Sequence, residues 1–440
     1  MSPVIPSVWL TTLGCAKNQV DSEKLAGLLA ESGYTAASGP EEADVVMVNT
    51  CAFVAAARRE SIDTILELAA AKRDEARLVV VGCMAQRYGA ELAAALPEAD
   101  AVIGLDRYGE LVERLDALTG WRPLRVAPPR RSRMDILFRM ERPTPSTPYA
   151  YVKVAEGCDK ACAFCAIPRF RGAQRSRPPG NVREEIAGLT AAGVSEVVLV
   201  AQDLAAYGRD LGTAADLTDL VRFVADVEGL RRLRLFYLHP REIRPALIET
   251  MAALPVVAEY FDLSLQHVAA PLLRAMRRPG SGEAHLRLVG EIRAAAPAAA
   301  LRSSFIVGFP GEREEDVEEL AEFLRAARLD WAGFFPFSPE EGTPAATYPG
   351  RVAAAEIWVR LRHLQEVQEE ITAARNAAQV GRRLTVLVDQ VEEEVPVGRS
   401  HREAPEIDGV VLLDRGAPGE WHEVEITGSY GTDLTGRVVD

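Results

Sequence analysis

Three thiols lie close together in Glu156-Gly-Cys158-Asp-Lys-Ala-Cys162-Ala-Phe-Cys165-Ala-Ile-Pro168, spaced by three and then by two residues. Thiolates bind iron and zinc, and closed sites for either metal take four ligands. A cubane held by only three cysteines leaves one iron open to an exogenous ligand, which suits chemistry as well as electron storage. A zinc knuckle completed by a distant fourth ligand is the alternative for the same spacing.

The remaining cysteines, Cys15, Cys51 and Cys83, are far apart in sequence but share a context. From Ser7 to about Leu118, short β runs alternate with helical stretches. Ser7–Leu13, Asp44–Thr50, Arg77–Val81 and Ala101–Ile103 read as parallel strands, with amphipathic helices near 21–31, 54–72, 85–95 and 107–118. Each cysteine comes just after a strand, in Leu-Gly-Cys15, Asn-Thr-Cys51 and Val-Gly-Cys83. In an open parallel sheet the carboxyl ends of the strands line one edge, where ligands bind, so this second trio is expected to gather there. Burial in the core is the alternative for a free cysteine, but a core residue would sit inside a strand.

The first trio also needs a scaffold. The apolar run Tyr149–Ala155 reads as a strand feeding the cysteine loop. After it come strand-like runs at Glu196–Asp203, Leu233–Leu238, Tyr260–Leu265, Leu301–Val307 and Trp331–Phe337, separated by helical patterns such as Asn181–Ala192 and Arg313–Ala327. Six β/α units predict a partial version of the eightfold barrel, with its site on the loops at the carboxyl ends of the strands. Gln202, Asp203, His239, Gln266, His267 and the turn Gly308-Phe-Pro-Gly311-Glu312 fall on that rim. His239 is given no role, because a lone histidine is more often structural.

At 440 residues the chain is too long for one typical domain, and 48% hydrophobic residues supply ample cores. Expected boundaries are an α/β domain at 1–120, a proline- and arginine-rich linker at 121–148, the barrel at 149–378 and a small β barrel at 379–440. Ala353–Ala378 reads as one long amphipathic helix ahead of that tail. Six cysteines in two groups suggest reduced metal ligands, not a disulfide scaffold. No stretch is long and apolar enough to span a membrane, and the first residues lack a signal pattern, so a cytoplasmic protein is expected. The net charge of −14 argues against a broad nucleic-acid footprint. The tail has about 13 acidic residues against 6 arginines and no lysine, which suits a cationic partner.

Two resemblances rest on these motifs. The residues around Cys158, Cys162 and Cys165, including Phe164, resemble the radical S-adenosylmethionine superfamily, in which the open iron binds and cleaves that cofactor to a 5'-deoxyadenosyl radical. Nearly the whole chain is similar to the methylthiotransferases. The matching stretches are Leu13-Gly-Cys15-Ala-Lys-Asn-Gln-Val-Asp-Ser-Glu23, Asn49-Thr-Cys51, Gly82-Cys83, the Cys158 trio and Gly308–Glu312. The family's fold is an N-terminal open parallel sheet, a central partial (β/α)6 barrel of the radical type and a C-terminal TRAM domain, a small OB-like β barrel.

The resemblance implies two 4Fe-4S clusters, one on Cys158, Cys162 and Cys165 and an auxiliary one on Cys15, Cys51 and Cys83. It also implies two molecules of S-adenosylmethionine per turnover, with Gln202, Asp203, Gln266, Gly308, Gly311 and Glu312 as candidates for gripping that cofactor. Some family members modify adenosine 37 of transfer RNA, and one branch modifies the β carbon of an aspartate in the twelfth small-subunit ribosomal protein. Lys17-Asn18, Ala201-Gln202-Asp203 and Glu403-Ala-Pro-Glu-Ile-Asp-Gly409 resemble the ribosomal-protein branch. The acidic tail points the same way, since ribosomal proteins are basic and transfer RNA is not. The implied partners are that basic protein and an electron donor of flavodoxin or ferredoxin type, with no membrane, and with nucleic acid met only through the ribosome. Ser264, where relatives usually have proline, and His239-Pro240, where many have tyrosine and proline, depart from the pattern. The competing readings are a transfer-RNA enzyme, a two-cluster electron carrier and a zinc-bearing nucleic-acid module.

Overall fold

Runs such as Val45-Val-Met-Val form strands because β-branched side chains pack well on a pleated surface covered on both faces. In the computed structural model, which describes residues 5–121, 138, 140–212 and 215–439, the chain divides into two units. The first comprises Met1–Thr144, Gly157–Asp159 and Cys165–Ala173, and the second Pro145–Glu156, Lys160–Phe164 and Gln174–Asp440. Most of the expected linker at 121–148, including its Arg130–Arg133 stretch, lies outside the described residues.

The first unit is built on five parallel strands: β1 (Ser7–Thr12), β2 (Thr35–Ala36), β3 (Val45–Thr50), β4 (Arg77–Gly82) and β5 (Ala101–Gly104). Their order across the sheet is β2-β1-β3-β4-β5. The chain runs outward from β1 in one direction and from β3 in the other, so the β1–β3 junction is the switch point where open α/β sheets bind ligands. The two-residue strand β2 is too short to leave a periodic signal in the sequence.

The first helix, Ala16–Glu31, begins directly after Cys15, earlier than the apolar pattern indicates. Its start is polar but not solvated, because Lys17 and Asn18 in the first turn and Asp21 in the second are buried. The stretch expected as one helix at 107–118 is a 3-10 turn, Leu105–Glu110, followed by a helix at Leu111–Thr119.

The second unit contains β6 (Tyr149–Lys153), the short antiparallel pair β7 (Ala155–Glu156) and β8 (Arg175–Ser176), then β9 (Glu196–Val200), β10 (Arg232–Leu235), β11 (Tyr260–Gln266), β12 (Ala300–Val307) and β13 (Trp331–Pro336). β6, β9 and β10 form one parallel sheet and β11, β12 and β13 another. Single parallel bridges, Leu233 to Val257 and Leu238 to Leu263, join them. The result is six strands side by side in chain order, the partial barrel that the six β/α units predict.

A helix at Ala354–Ala377 leads into the closed barrel of β14 (Arg383–Glu392), β15 (Val395–Arg399), β16 (Val411–Leu413), β17 (Trp421–Tyr430) and β18 (Asp433–Val438). The segment between β15 and β16 packs on the amino ends of the large-barrel strands, away from the cysteine loop. Glu196 at the start of β9 pairs with Arg399 at 3.0 Å and Arg234 at 3.0 Å. Tyr260 at the start of β11 donates to Asp408 at 2.6 Å, and Trp331 at the start of β13 donates to the Arg402 carbonyl at 2.9 Å. Thus Glu403–Gly409 serves the join between the barrels: Glu403 accepts from the Ser400 amide, and Asp408 from the Ala404 amide.

Candidate functional site

In the first unit the strands that precede the cysteines, β1, β3 and β4, are immediate neighbours with flush ends: Thr12 lies opposite Asn49, and Thr50 opposite Gly82. Cys15 occupies the N-cap of the first helix, Cys51 follows β3, and Cys83 opens the helix Cys83–Ala95. All three are free thiols close enough to influence one another's ionisation.

Two glycines make the crowding possible. Gly14 and Gly82 both have φ of 94°, a region that side chains avoid. A Cβ on Gly14 would stand 2.7 Å from the Cβ of Cys51, and one on Gly82 would stand 2.2 Å from Asn49 Oδ1.

Asn18 ties the ends together. Its Nδ2 donates to the Leu13 carbonyl at 2.9 Å and to the Thr50 carbonyl at 3.0 Å, while Asn49 donates to the Asn18 carbonyl at 2.9 Å. Burial pushes the Cys83 thiol up to about 12 and raises Cys51 as well. Burial acts in the same sense on Cys15, but Lys17 and Arg171 outweigh it and hold that thiol below its ordinary value. Arg171 is buried and donates through Nη2 to the Cys83 sulfur at 3.0 Å and to Asn18 Oδ1 at 2.7 Å. Nothing periodic marks Arg171 in the sequence.

The Cys158–Cys165 loop is pinned at several points. The Cys158 amide donates to the Gly172 carbonyl at 3.1 Å, and the Ala163 amide to the Met276 carbonyl at 2.9 Å. Ala163 packs in a small apolar cluster with Ala269, Leu272, Met276, Phe309 and Ala345. Gln202 supports the start of the loop: its Nε2 donates to Glu156 at 3.1 Å, and Glu156 is also paired with Lys153 at 2.7 Å. Arg278 places Nη1 3.7 Å from the Cys162 sulfur.

The other rim candidates divide by what they touch. Asp203 is buried, with neither carboxylate oxygen hydrogen-bonded and Lys160 Nζ 3.5 Å away. Burial raises its carboxyl above the ordinary value despite Lys160. Lys160, between Cys158 and Cys162, is held at 2.5 Å by Glu242, which also pairs with Arg209. His239 is buried with Nδ1 unpartnered, and burial, together with Arg278 and Lys160, pushes it down to about 3. Gln202 Oε1, Asp203 and His239 Nδ1 are therefore orphaned buried polar atoms at the carboxyl ends of β9 and β10, as expected where a polar ligand completes the bonding.

Gln266 ends β11 at φ 73°, beside a register shift, a strained conformation that usually accompanies a site. Glu312 is fully enclosed. Both its oxygens accept from the Gly308 amide at 2.9 Å, and Arg360 reaches it at 2.8 Å. Its carboxylate therefore shapes the Gly308–Gly311 turn from behind, and Gly311 donates to the Gly350 carbonyl at 2.8 Å. The departure at Ser264 is structural too, since its amide donates to the Leu238 carbonyl at 2.9 Å, a bond proline cannot make.

The donor chemistry fits iron–sulfur clusters. Among the described residues, no three His, Cys, Asp or Glu side chains converge as a single metal ion requires. Thiolates on three different irons of a cubane need not converge in that way. No helix of the described residues is long and apolar enough to cross a membrane.

Three family models match the chain: the uncharacterized protein family UPF0004 over residues 7–104, the Radical SAM superfamily over 152–324 and the TRAM domain over 380–439. The ribosomal protein uS12 methylthiotransferase RimO of Nocardioides sp. is 44% identical over 98% of this chain and 97% of its own length. That of Moorella thermoacetica is 46% identical over 98% and 99%. Among solved structures, the radical S-adenosylmethionine methyltransferase TsrM from Kitasatospora setae superposes with a TM-score of 0.53 at 17% identity, over 78% of this chain and 77% of its own. At that identity the likeness speaks for the fold alone. The full-length relatives carry the assignment: the chain belongs to the ribosomal protein uS12 methylthiotransferase (RimO) family of radical enzymes, which use S-adenosylmethionine and 4Fe-4S clusters.

Proposed function

We propose that the protein inserts a methylthio group at the β carbon of an aspartate in ribosomal protein uS12. The observation that carries this reading is the identity of 44–46% with uS12 methylthiotransferases over almost the whole chain. Cys158, Cys162 and Cys165 would hold the radical-type cluster, and Cys15, Cys51 and Cys83 the auxiliary one. When bound, these groups and S-adenosylmethionine supply one-electron and sulfur chemistry at an unactivated carbon, which acid–base side chains cannot attack.

The chain's own residues bind, orient and exclude water. Glu156, anchored by Lys153 and Gln202, fixes the start of the cysteine loop. Asp203, His239 and the Lys160–Glu242 pair provide a polar wall for the amino, carboxylate or ribose groups of the cofactor. Gln266 and the Gly308–Gly311 turn, stiffened by Glu312, offer backbone on the opposite strands. Fixing these groups in advance is how a protein lowers the cost of bringing a C–H bond to a reactive centre.

Substrate recognition is assigned to the acidic small barrel. Glu392, Glu393, Glu394, Glu420 and Glu423 are exposed there, whereas Glu403 and Asp408 are consumed inside the fold. A cytoplasmic protein meeting the ribosome, and a flavodoxin- or ferredoxin-type reductant, complete the reading. The test is anaerobic incubation of the reconstituted protein with S-adenosylmethionine, reductant, and either small ribosomal subunits or transfer RNA. The mass of a methylthio group should appear on uS12. Its appearance on transfer RNA instead would reverse the substrate assignment.

A further inference from the structure

The buried Arg171 guanidinium connects two features that lie far apart in sequence. It stands at the end of the five-residue helix Ile167–Arg171, immediately beyond Cys165, yet it bonds to Cys83 and Asn18 among the strand ends of the N-terminal sheet. Phe170 and Ala166 of the same segment belong to the apolar core of that sheet, so the guanidinium is fixed by packing as well as by hydrogen bonds. Asp21, itself fully buried, pairs with Arg171 at 3.3 Å through both Nη1 and Nη2. The field of Arg171 reaches Cys15, Cys51 and Cys83 alike.

We propose that Arg171 is a positioning residue that sets the reduction potential of the cluster held by Cys15, Cys51 and Cys83, by donating a charge-assisted hydrogen bond to the Cys83 sulfur, with Asp21 as its counterweight. The proposal rests on the two-cluster reading above. Reduction adds one negative charge to a group already ligated by three thiolates. A buried cation bonded to a ligand sulfur stabilises the reduced form more than the oxidised form, and so raises the potential. Asp21 acts oppositely, offsetting part of that charge. The pair therefore makes two predictions of opposite sign, which a purely structural role does not.

The experiment is an anaerobic redox titration followed by electron paramagnetic resonance on the reconstituted full chain. It is repeated in a chain carrying Cys158→Ala, Cys162→Ala and Cys165→Ala, where only the N-terminal cluster remains. Arg171→Gln should move that cluster's midpoint to more negative values, and Asp21→Asn should move it to more positive values. Arg171→Lys, which keeps the charge, should recover part of the first shift. Iron content should stay at about four per cluster throughout. Unmoved midpoints with full iron content, or shifts of the same sign in Arg171→Gln and Asp21→Asn, would overturn the proposal alone. Loss of iron in both Arg171→Gln and Arg171→Lys would overturn it in favour of a scaffold role. Wild-type protein that takes up only one cluster would overturn the two-cluster reading and the proposal with it.

Discussion

The guanidinium of Arg278 lies 3.7 Å from the sulfur of Cys162, with its other terminal nitrogen donating to the Ser264 carbonyl. A buried arginine thus reaches a sulfur of each thiol trio, Arg278 that of Cys162 and Arg171, from the helix after Cys165, that of Cys83. Arg278 is tied to the backbone of β11 through the Ser264 carbonyl.

Removing that donor should shift the potential of the cluster without emptying the site. A hydrogen bond from a cation to a ligand sulfur favours the reduced form. Arg278→Gln is therefore expected to move the midpoint of the cluster held by Cys158, Cys162 and Cys165 to more negative values at matched iron content. Redox titration followed by electron paramagnetic resonance measures it, with Arg278→Lys shifting less.

The two trios should be separable. Cys158→Ala should abolish cleavage of S-adenosylmethionine. Replacing Cys15, Cys51 and Cys83 together should leave cleavage intact, end methylthio transfer and remove about four irons per chain. Iron analysis beside product mass spectrometry decides this, and cleavage that survived Cys158→Ala would contradict the assignment.

Gly82→Ala tests the packing of the auxiliary site. The new methyl would need φ of 94° and would collide with Asn49 Oδ1 and the Thr50 carbonyl. The cost is about 2 kcal/mol or more. Thermal unfolding should shift downward, and iron should be lost from the N-terminal site first.

Glu196 supplies the join between the large and small barrels. Burial opposes its charge, but Arg399, Arg234 and Arg232 outweigh burial and hold the carboxyl at about 2, below its ordinary 4.5. Burial beside two other guanidiniums in turn pushes Arg232 down to about 10, and three cations share the Glu196 carboxylate, with Arg399 also paired to Asp389. Because the folded value lies below the unfolded one, this stabilisation is complete above pH 4.5 and disappears as pH falls toward 2. Glu196→Gln should cost about 3 kcal/mol at neutral pH by leaving buried arginines underpaired. It should also flatten that acid limb. Denaturant melts between pH 7 and pH 2 would show both effects.

The sequence by itself determined the chemistry and the class of fold. Cysteine spacing and placement after strands are local facts, and so are the short, mostly continuous apolar runs that become β1, β3, β4, β5 and the six strands of the large barrel. The shortest strands, β2, β7 and β8, escaped because two residues carry no period. The early start of the first helix at Ala16 escaped because its polar first turn is buried by the ends of neighbouring strands. Only the tertiary structure decided the roles of single polar side chains. Glu312, a candidate for touching cofactor, turns inward to hold Gly308, and Glu403 and Asp408 hold the segment between β15 and β16 and tie it to the large barrel. Arg171 and Arg278 carry no sequence signal, yet fall on the sulfurs of Cys83 and Cys162. Residue type fixes which bonds a side chain can make, but its partner depends on which strand ends and loops folding brings within about 3 Å.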